Sequence, residues 1–232
     1  MINKLRLIKP SFEILNKEYL KDMPKLIEKV ARTCYQTEGL ITDESYKTMM
    51  RKLIDCGHES VIEFGDIVVR IVCDRGISHE LVRHRLASFA QESTRYCNYT
   101  AEKFGGHITF IIPCWFKNIN EGVYTKEDVD IFKSKFTQEE LEWLYAMINS
   151  ENHYNHLIKF GEQPQQARSV LPNSLKTVIN MKQNFRSWRH FLKLRIATTA
   201  HPQMREITIP MLAEFKKLIP IVFDDIKECE EK

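Results

Sequence analysis

At 232 residues, 43% apolar and 28% charged, the chain is long enough to bury a sizeable core and too apolar to be disordered by composition. Its formal net charge of +3 is too mild to mark a nucleic-acid binder, so any anion site must come from locally placed arginines. No apolar run reaches the roughly eighteen residues of a membrane span, and the opening MINKLRLIKPSFEIL has no signal-peptide core, which predicts a cytoplasmic protein without a membrane partner.

The elements read in order as follows. Residues 2–9 alternate as a strand, and Met23 to Gln36 has helical periodicity with Leu26, Ile27, Val30 and Ala31 on its apolar face. Thr42 to Cys56 is a second helix, capped by Thr42 and ended by Gly57. Val61 to Cys73 reads as a buried strand, Asp74-Arg75-Gly76 as a turn, and Ser78 as the N-cap of a helix to about Ala87. Residues 94–99 and 107–112 read as strands separated by Gly105-Gly106. Thr137 and Glu140 form a capping box for a long helix to Gly161, followed by a short helix from Pro164 to Val170. Residues 175–182 are extended, Asn184 caps a helix to about Ala197, and a last helix after Pro202 is broken or kinked at Pro210. No repeat, linker or regular βαβ rhythm interrupts this order. It predicts a single α+β domain over 1–232, with a peripheral tail from about 221.

The six cysteines lack C-x-x-C spacing, and the histidines (His58, His79, His84, His153, His156) form no ligand pattern, so reduced thiols and no metal are expected. Phe132, Phe136, Trp143 and Tyr145 read as core packing.

Chemistry concentrates in two basic stretches. In the helix assigned from Ser78, Arg85 falls within the stripe of Val82, Leu86 and Phe89, where an unpartnered charge is costly; Arg83 and His84 flank it. In 184–195, Arg195 lies seven residues after Trp188 and projects from the apolar stripe of Trp188, Phe191 and Leu192, while Arg186 and His190 share another face. Both stretches also admit plain readings. The first fits a solvated basic helix end, the second an arginine whose stem packs while its head reaches water. Arg83, Arg85, Arg186 and Arg189 fit an RNA- or nucleotide-binding protein without catalysis as well.

Arg83-His84-Arg85, seven residues and then Ser93, continuing as Arg95-Tyr96, resembles the signature of flavin-dependent thymidylate synthases. Gly57-His58-Glu59-Ser60, Gln166-Ala167-Arg168-x-Val170-Leu171-Pro172, and Asn184-Phe185-Arg186 through Leu194-Arg195 resemble further blocks of that family, in its order, from about residue 30 to 215. The resemblance implies an α+β fold with a central, largely antiparallel sheet flanked by helices. It also implies a homotetramer whose active sites draw on more than one subunit. The implied reaction converts dUMP and methylenetetrahydrofolate to dTMP and tetrahydrofolate, with NADPH reducing bound FAD. By similarity, Ser60, Arg83, His84, Arg85, Gln91, Asn184, Phe185, Arg186 and His190 contact FAD. Glu80, Leu81, Val82, Arg83, Gln91, Glu92, Ser93, Thr94, Arg95, Arg168 and Arg195 hold dUMP. His58 lies near flavin and folate, and Arg195 is the catalytic residue, favouring ionisation of the uracil. Departures are Glu80, which is Gln in some relatives, Gln91 and Gln165, which are carboxylates in others, and His190, which replaces an Asn.

Overall fold

The computed structural model describes residues 4–101 and 105–227; Ile2 and Asn3 of the expected first strand, and 228–232 of the expected tail, lie outside them. Along the chain come β1 (Leu5–Ile8), β2 (Ser11–Ile14), α1 (Lys17–Leu20), α2 (Met23–Thr33), α3 (Ser45–Asp55), β3 (Asp66–Asp74) and α4 (Arg75–Leu81). Then follow β4 (Ser88–Gln91), β5 (Thr109–Ile111), β6 (Gly122–Tyr124), α5 (Lys126–Ile131) and α6 (Gln138–Lys159). The chain continues through α7 (Pro164–Ala167), β7 (Lys176–Asn184), α8 (Phe185–Arg195) and α9 (Pro202–Leu218). This is the expected α+β class. Among the described residues, however, the strands form two sheets where one central sheet was expected: β5-β1-β6, and β2-β3-β7-β4. Within the first, β1 pairs parallel to β5, with Leu7 opposite Phe110, and antiparallel to β6.

The described residues divide into two compact units. The first takes the chain up to Ser11, Val72–Leu81 and Gln91–Ile179; the second takes Phe12–Ile71, Val82–Ala90 and the chain from Asn180. Each is assembled from separate stretches, so no linker or shift of composition marks a boundary.

In the first unit, alternation along β1 turns Leu5 and Leu7 inward and Arg6 outward. They join Phe110, Leu144, Met147, Ile148 and Tyr154 in one core cluster, against which Phe136, Trp143 and Tyr145 pack as expected, whereas Phe132, expected with them, is exposed at the end of α5. Helix α6 starts at the predicted capping box: Thr137 Oγ1 accepts from the Glu140 amide and Glu140 accepts from the Thr137 amide. Helix α4 begins at Arg75, where a turn was expected, because Asp74 Oδ1 accepts from the Ile77 amide at 2.7 Å and caps the first turn. The expected strand at 94–99 is a turn, in which Ser93 and Asn98 accept from nearby amides and compete with ladder pairing.

The core of the second unit is aromatic. Trp188 is fully buried, stands edge-on to Phe191 and Phe215 at 5.3 Å each, and donates its indole N–H to the Ile67 carbonyl at 3.0 Å. Helix α9 runs through Pro210 unbroken, because Ile207, Met211, Leu212 and Phe215 anchor it on both sides of the missing amide. The described part of the tail is not peripheral: Val222, Phe223 and Ile226 are buried. Their apolar side chains follow the helix-breaking Pro220 and are interrupted by Asp224 and Asp225, which conceals the pattern. Among the described residues, no helix is long and apolar enough to cross a membrane.

Candidate active site

The second unit holds a cleft of about 1150 Å³. That exceeds the roughly 300–1,000 Å³ of ordinary small-molecule sites and is room enough for a dinucleotide. One wall is α8. Asn184 Oδ1 accepts from the Ser187 amide at 2.8 Å and starts the helix, so Arg186, Arg189, His190 and Lys193 recur on one face while Trp188, Phe191 and Leu192 face the core. The other wall is the irregular run from Arg83 to Ser88, with Glu59, Glu63, Asp66 and Lys182 completing the lining. Helix α4 ends at Leu81, so Arg85 is not on the expected helical stripe; it sits exposed with Arg83 on this irregular segment, and Leu86 is exposed beside them. The chain must leave the helix early because Ser88–Gln91 extends as β4.

Six cationic side chains (Arg83, Arg85, Lys182, Arg186, Arg189, Lys193) face three carboxylates in this lining. Arg186 pairs with Glu63 at 2.7 Å and lies 3.5 Å from Glu59; Lys182 pairs with Asp66 at 3.0 Å. Arg83 and Arg85 have no carboxylate partner among the described residues. Two guanidinium forks on a cationic wall make an anion site suited to phosphate oxygens.

Arg195 closes α8. Its carbonyl accepts from Thr208 Oγ1 at 3.0 Å, and its Nε donates to Nε2 of His84 at 3.0 Å. The His84 ring stands edge-on to Phe191 at 4.8 Å. Burial first, then the charge of Arg195 and the neighbouring His190, push its pKa down to about 4, so the ring is neutral near pH 7.

A second polar group lies within the first unit. Gln91 Nε2 donates to Ser78 Oγ at 2.9 Å and Thr177 Oγ1 at 3.2 Å. Glu92 accepts from Lys176 Nζ at 2.7 Å and from the Tyr99 hydroxyl at 3.2 Å; burial and Glu92 hold that phenol protonated by raising its pKa. Arg168 donates to Thr94 Oγ1 at 2.9 Å, and Arg95 stacks over Tyr96 at 5.4 Å.

The family model described as thymidylate synthase complementing protein matches residues 17–221. The flavin-dependent thymidylate synthase of Thermococcus kodakarensis is 33% identical over 191 residues, 81% of this chain and 70% of the relative. That of Mycobacteroides abscessus is 30% identical over 211 residues, 87% of this chain and 79% of the relative. The chain belongs to the flavin-dependent thymidylate synthase family. The fold agrees: a UMP/dUMP methylase PolB from Streptomyces cacaoi, solved with 5-Br dUMP, superposes with a TM-score of 0.69 at 22% identity, covering 94% of this chain and 95% of that one.

Of the residues that the family resemblance assigns to FAD, the cleft gathers Arg83, His84, Arg85, Asn184, Arg186 and His190. Phe185 does not qualify as a side-chain contact: it is fully buried, stands edge-on to Phe223 at 6.0 Å, and presses on Gly65 so closely that no Cβ fits there. Its apolar ring is drawn into the core while the flanking Asn184 and Arg186 face the cleft. Ser60 and Gln91 are not in the lining; Ser60 is exposed just before a 3-10 turn (Val61–Phe64), beside the exposed His58, and Gln91 serves the first unit's polar group. Among the expected dUMP contacts, Gln91, Glu92, Ser93, Thr94, Arg95 and Arg168 belong to the first unit, together with Glu80 and Leu81. The Leu81 side chain is 1% exposed and so packs in the core. Val82, Arg83 and Arg195 belong to the second unit.

The sequence reading passed over Lys182, Lys193, Glu63, Asp66, Lys176 and Tyr99. Lys193 could have been found at seven residues from Arg186 on the same helical face, and Lys182 as the exposed member of the alternating strand β7. Lys176 and Tyr99 carried no such signal; only folding brings them to Glu92.

Proposed function

We propose that this protein is a flavin-dependent thymidylate synthase, which methylates dUMP to dTMP with 5,10-methylenetetrahydrofolate as one-carbon donor, FAD as hydride carrier and NADPH as reductant. The observation that carries this reading, beside family membership, is the cationic cleft in which Arg83 and Arg85 lack carboxylate partners among the described residues. Its size and donor set fit a dinucleotide cofactor. Arg83, Arg85 and Arg186 bind the phosphate oxygens, and Asn184 and His190 supply neutral polar contacts along α8. When bound, FAD supplies the redox chemistry, so no cysteine nucleophile is needed.

Arg83 and Arg95 suit the dUMP phosphate because planar guanidinium forks bind its oxygens in pairs; the family resemblance adds Arg168 and the segments 80–82 and 91–94. Arg195 is always charged and acts by stabilising negative charge that develops on the pyrimidine, not as a base. His58 lies near flavin and folate, and Ser60 contacts the cofactor. The assembly is a cytoplasmic homotetramer with active sites shared between subunits. The chain works as one functional domain.

The test is the ultraviolet-visible spectrum of purified protein, followed by a single-turnover assay. A flavin spectrum and dTMP formed from dUMP, methylenetetrahydrofolate and NADPH are expected. Colourless protein that takes up no FAD on reconstitution and makes no dTMP defeats the proposal. Steeply salt-dependent RNA binding in its place would favour the non-catalytic alternative.

A further inference from the structure

We propose that His84 is a positioning residue for Arg195: the bare Nε2 of its imidazole holds the arginine Nε–H and fixes the guanidinium at the end of α8. The inference deepens the function proposed above and rests on it.

The geometry dictates the tautomer. An arginine Nε–H can only donate, so the His84 nitrogen that it meets at 3.0 Å must be unprotonated, and the ring proton sits on Nδ1. The ring is itself held, because Phe191 meets it edge-on at 4.8 Å and is fully buried. Where that side chain leaves the backbone, the main-chain carbonyl of Arg195 is tied to Thr208, which is buried in α9. The long, flexible arginine stem is therefore constrained at its root by Thr208 and near its tip by His84. Burial opposes protonation of the imidazole, and the neighbouring basic groups, Arg195 and His190, act in the same direction. A protonated ring would present a donor to a donor and release the arginine. The resemblance places His84 among the cofactor contacts; the structure adds that the same side chain sets the one residue assigned to the pyrimidine's charge.

The test compares His84→Phe, which keeps a ring against Phe191 and removes the acceptor, with His84→Asn, which restores an acceptor oxygen. Flavin content, dUMP affinity by equilibrium titration, thermal midpoint and single-turnover dTMP formation are measured for both. Expected for His84→Phe, assayed with FAD in excess so that cofactor loading is not limiting, are an unchanged thermal midpoint and a loss of turnover of about 100-fold, the size of a misplaced catalytic group. Recovery to within about tenfold of wild type is expected for His84→Asn. Equal turnover in wild type and His84→Phe overturns the role. So does a loss of flavin content that excess FAD reverses together with turnover, since His84 is then a cofactor contact alone. A wild-type protein that makes no dTMP instead overturns the reaction proposed above, and this role falls with it.

Discussion

Arg189 and Asp225 form a two-pronged ion pair: Nη1 meets Oδ1 at 2.5 Å and Nη2 meets Oδ2 at 2.7 Å, while Nη1 also donates to the Val222 carbonyl. Arg189 is 3% exposed, and although burial works to lower its pKa, Asp225 and Glu59 outweigh it and raise the pKa. The pair ties the helix that lines the cleft to the chain beyond α9, which explains why the described tail is structural. Asp225→Ala leaves the buried guanidinium with only Glu59, 3.5 Å away, as counter-ion and is expected to cost about 2 kcal/mol, below the full penalty of a buried pair because Glu59 remains and Asp225 is itself half-exposed. Arg189→Met in that background should return part of the loss. Urea denaturation of the single and double variants checks both.

Arg186 lies in the cleft and is half-exposed, paired with Glu63 in an environment that water screens. Surface pairs of this kind contribute little to folding. Arg186→Ala is therefore expected to leave the thermal midpoint nearly unchanged while weakening FAD binding about 10–100-fold, the value of a charge-assisted contact to phosphate. Fluorescence titration with FAD beside a thermal melt separates the two.

Glu151 is buried in the first unit; one oxygen accepts from the Ile108 amide at 3.3 Å and the other has no hydrogen-bond partner among the described residues. Burial pushes its pKa up to about 7, from an ordinary 4.5, despite that amide. The folded state thus holds a proton that the unfolded chain releases between those values. Stability from this group is fully present below about pH 4.5 and is lost as pH rises through 7. At about 1.4 kcal/mol per pKa unit, the swing is on the order of 3 kcal/mol at most. Glu151→Gln keeps an acceptor for Ile108 without titrating, so the variant should gain on wild type between pH 5 and 8. Denaturation midpoints at several pH values give the comparison, and parallel curves would contradict it.

Arg195→Ala is expected to lower turnover about 10²–10³-fold, the usual effect of deleting a charge-stabilising donor, with a small change in stability. The bond from Thr208 reaches the main-chain carbonyl of residue 195 and survives the substitution. Parallel losses of activity and stability would make Arg195 a structural residue.

Local signals in the sequence were strong where one stretch of chain decides the outcome. Thr137 and Glu140 announced α6, and Asn184 announced α8, because a cap needs only its own first turn. The helical period placed Arg186 and His190 on one face, and both line the cleft. Errors arose where distant groups outbid the local pattern. Val82, Leu86 and Phe89 have helical spacing, yet the chain extends at 88–91 to pair within a sheet. Phe185 stands inside a family motif, yet its ring is consumed by a core that includes Phe223.

The sequence by itself determined the α+β class, the cationic stretches and the family, since periodicity, caps and motifs are properties of neighbouring residues. Tertiary structure alone decided that Arg195 meets His84 across 111 positions, that Lys176 meets Glu92 across 84, and that an acid-rich tail secures the helix lining the cleft. The reason is physical: a hydrogen bond reaches about 3 Å, and which distant groups come within that reach is set by how whole faces are buried, not by any local code.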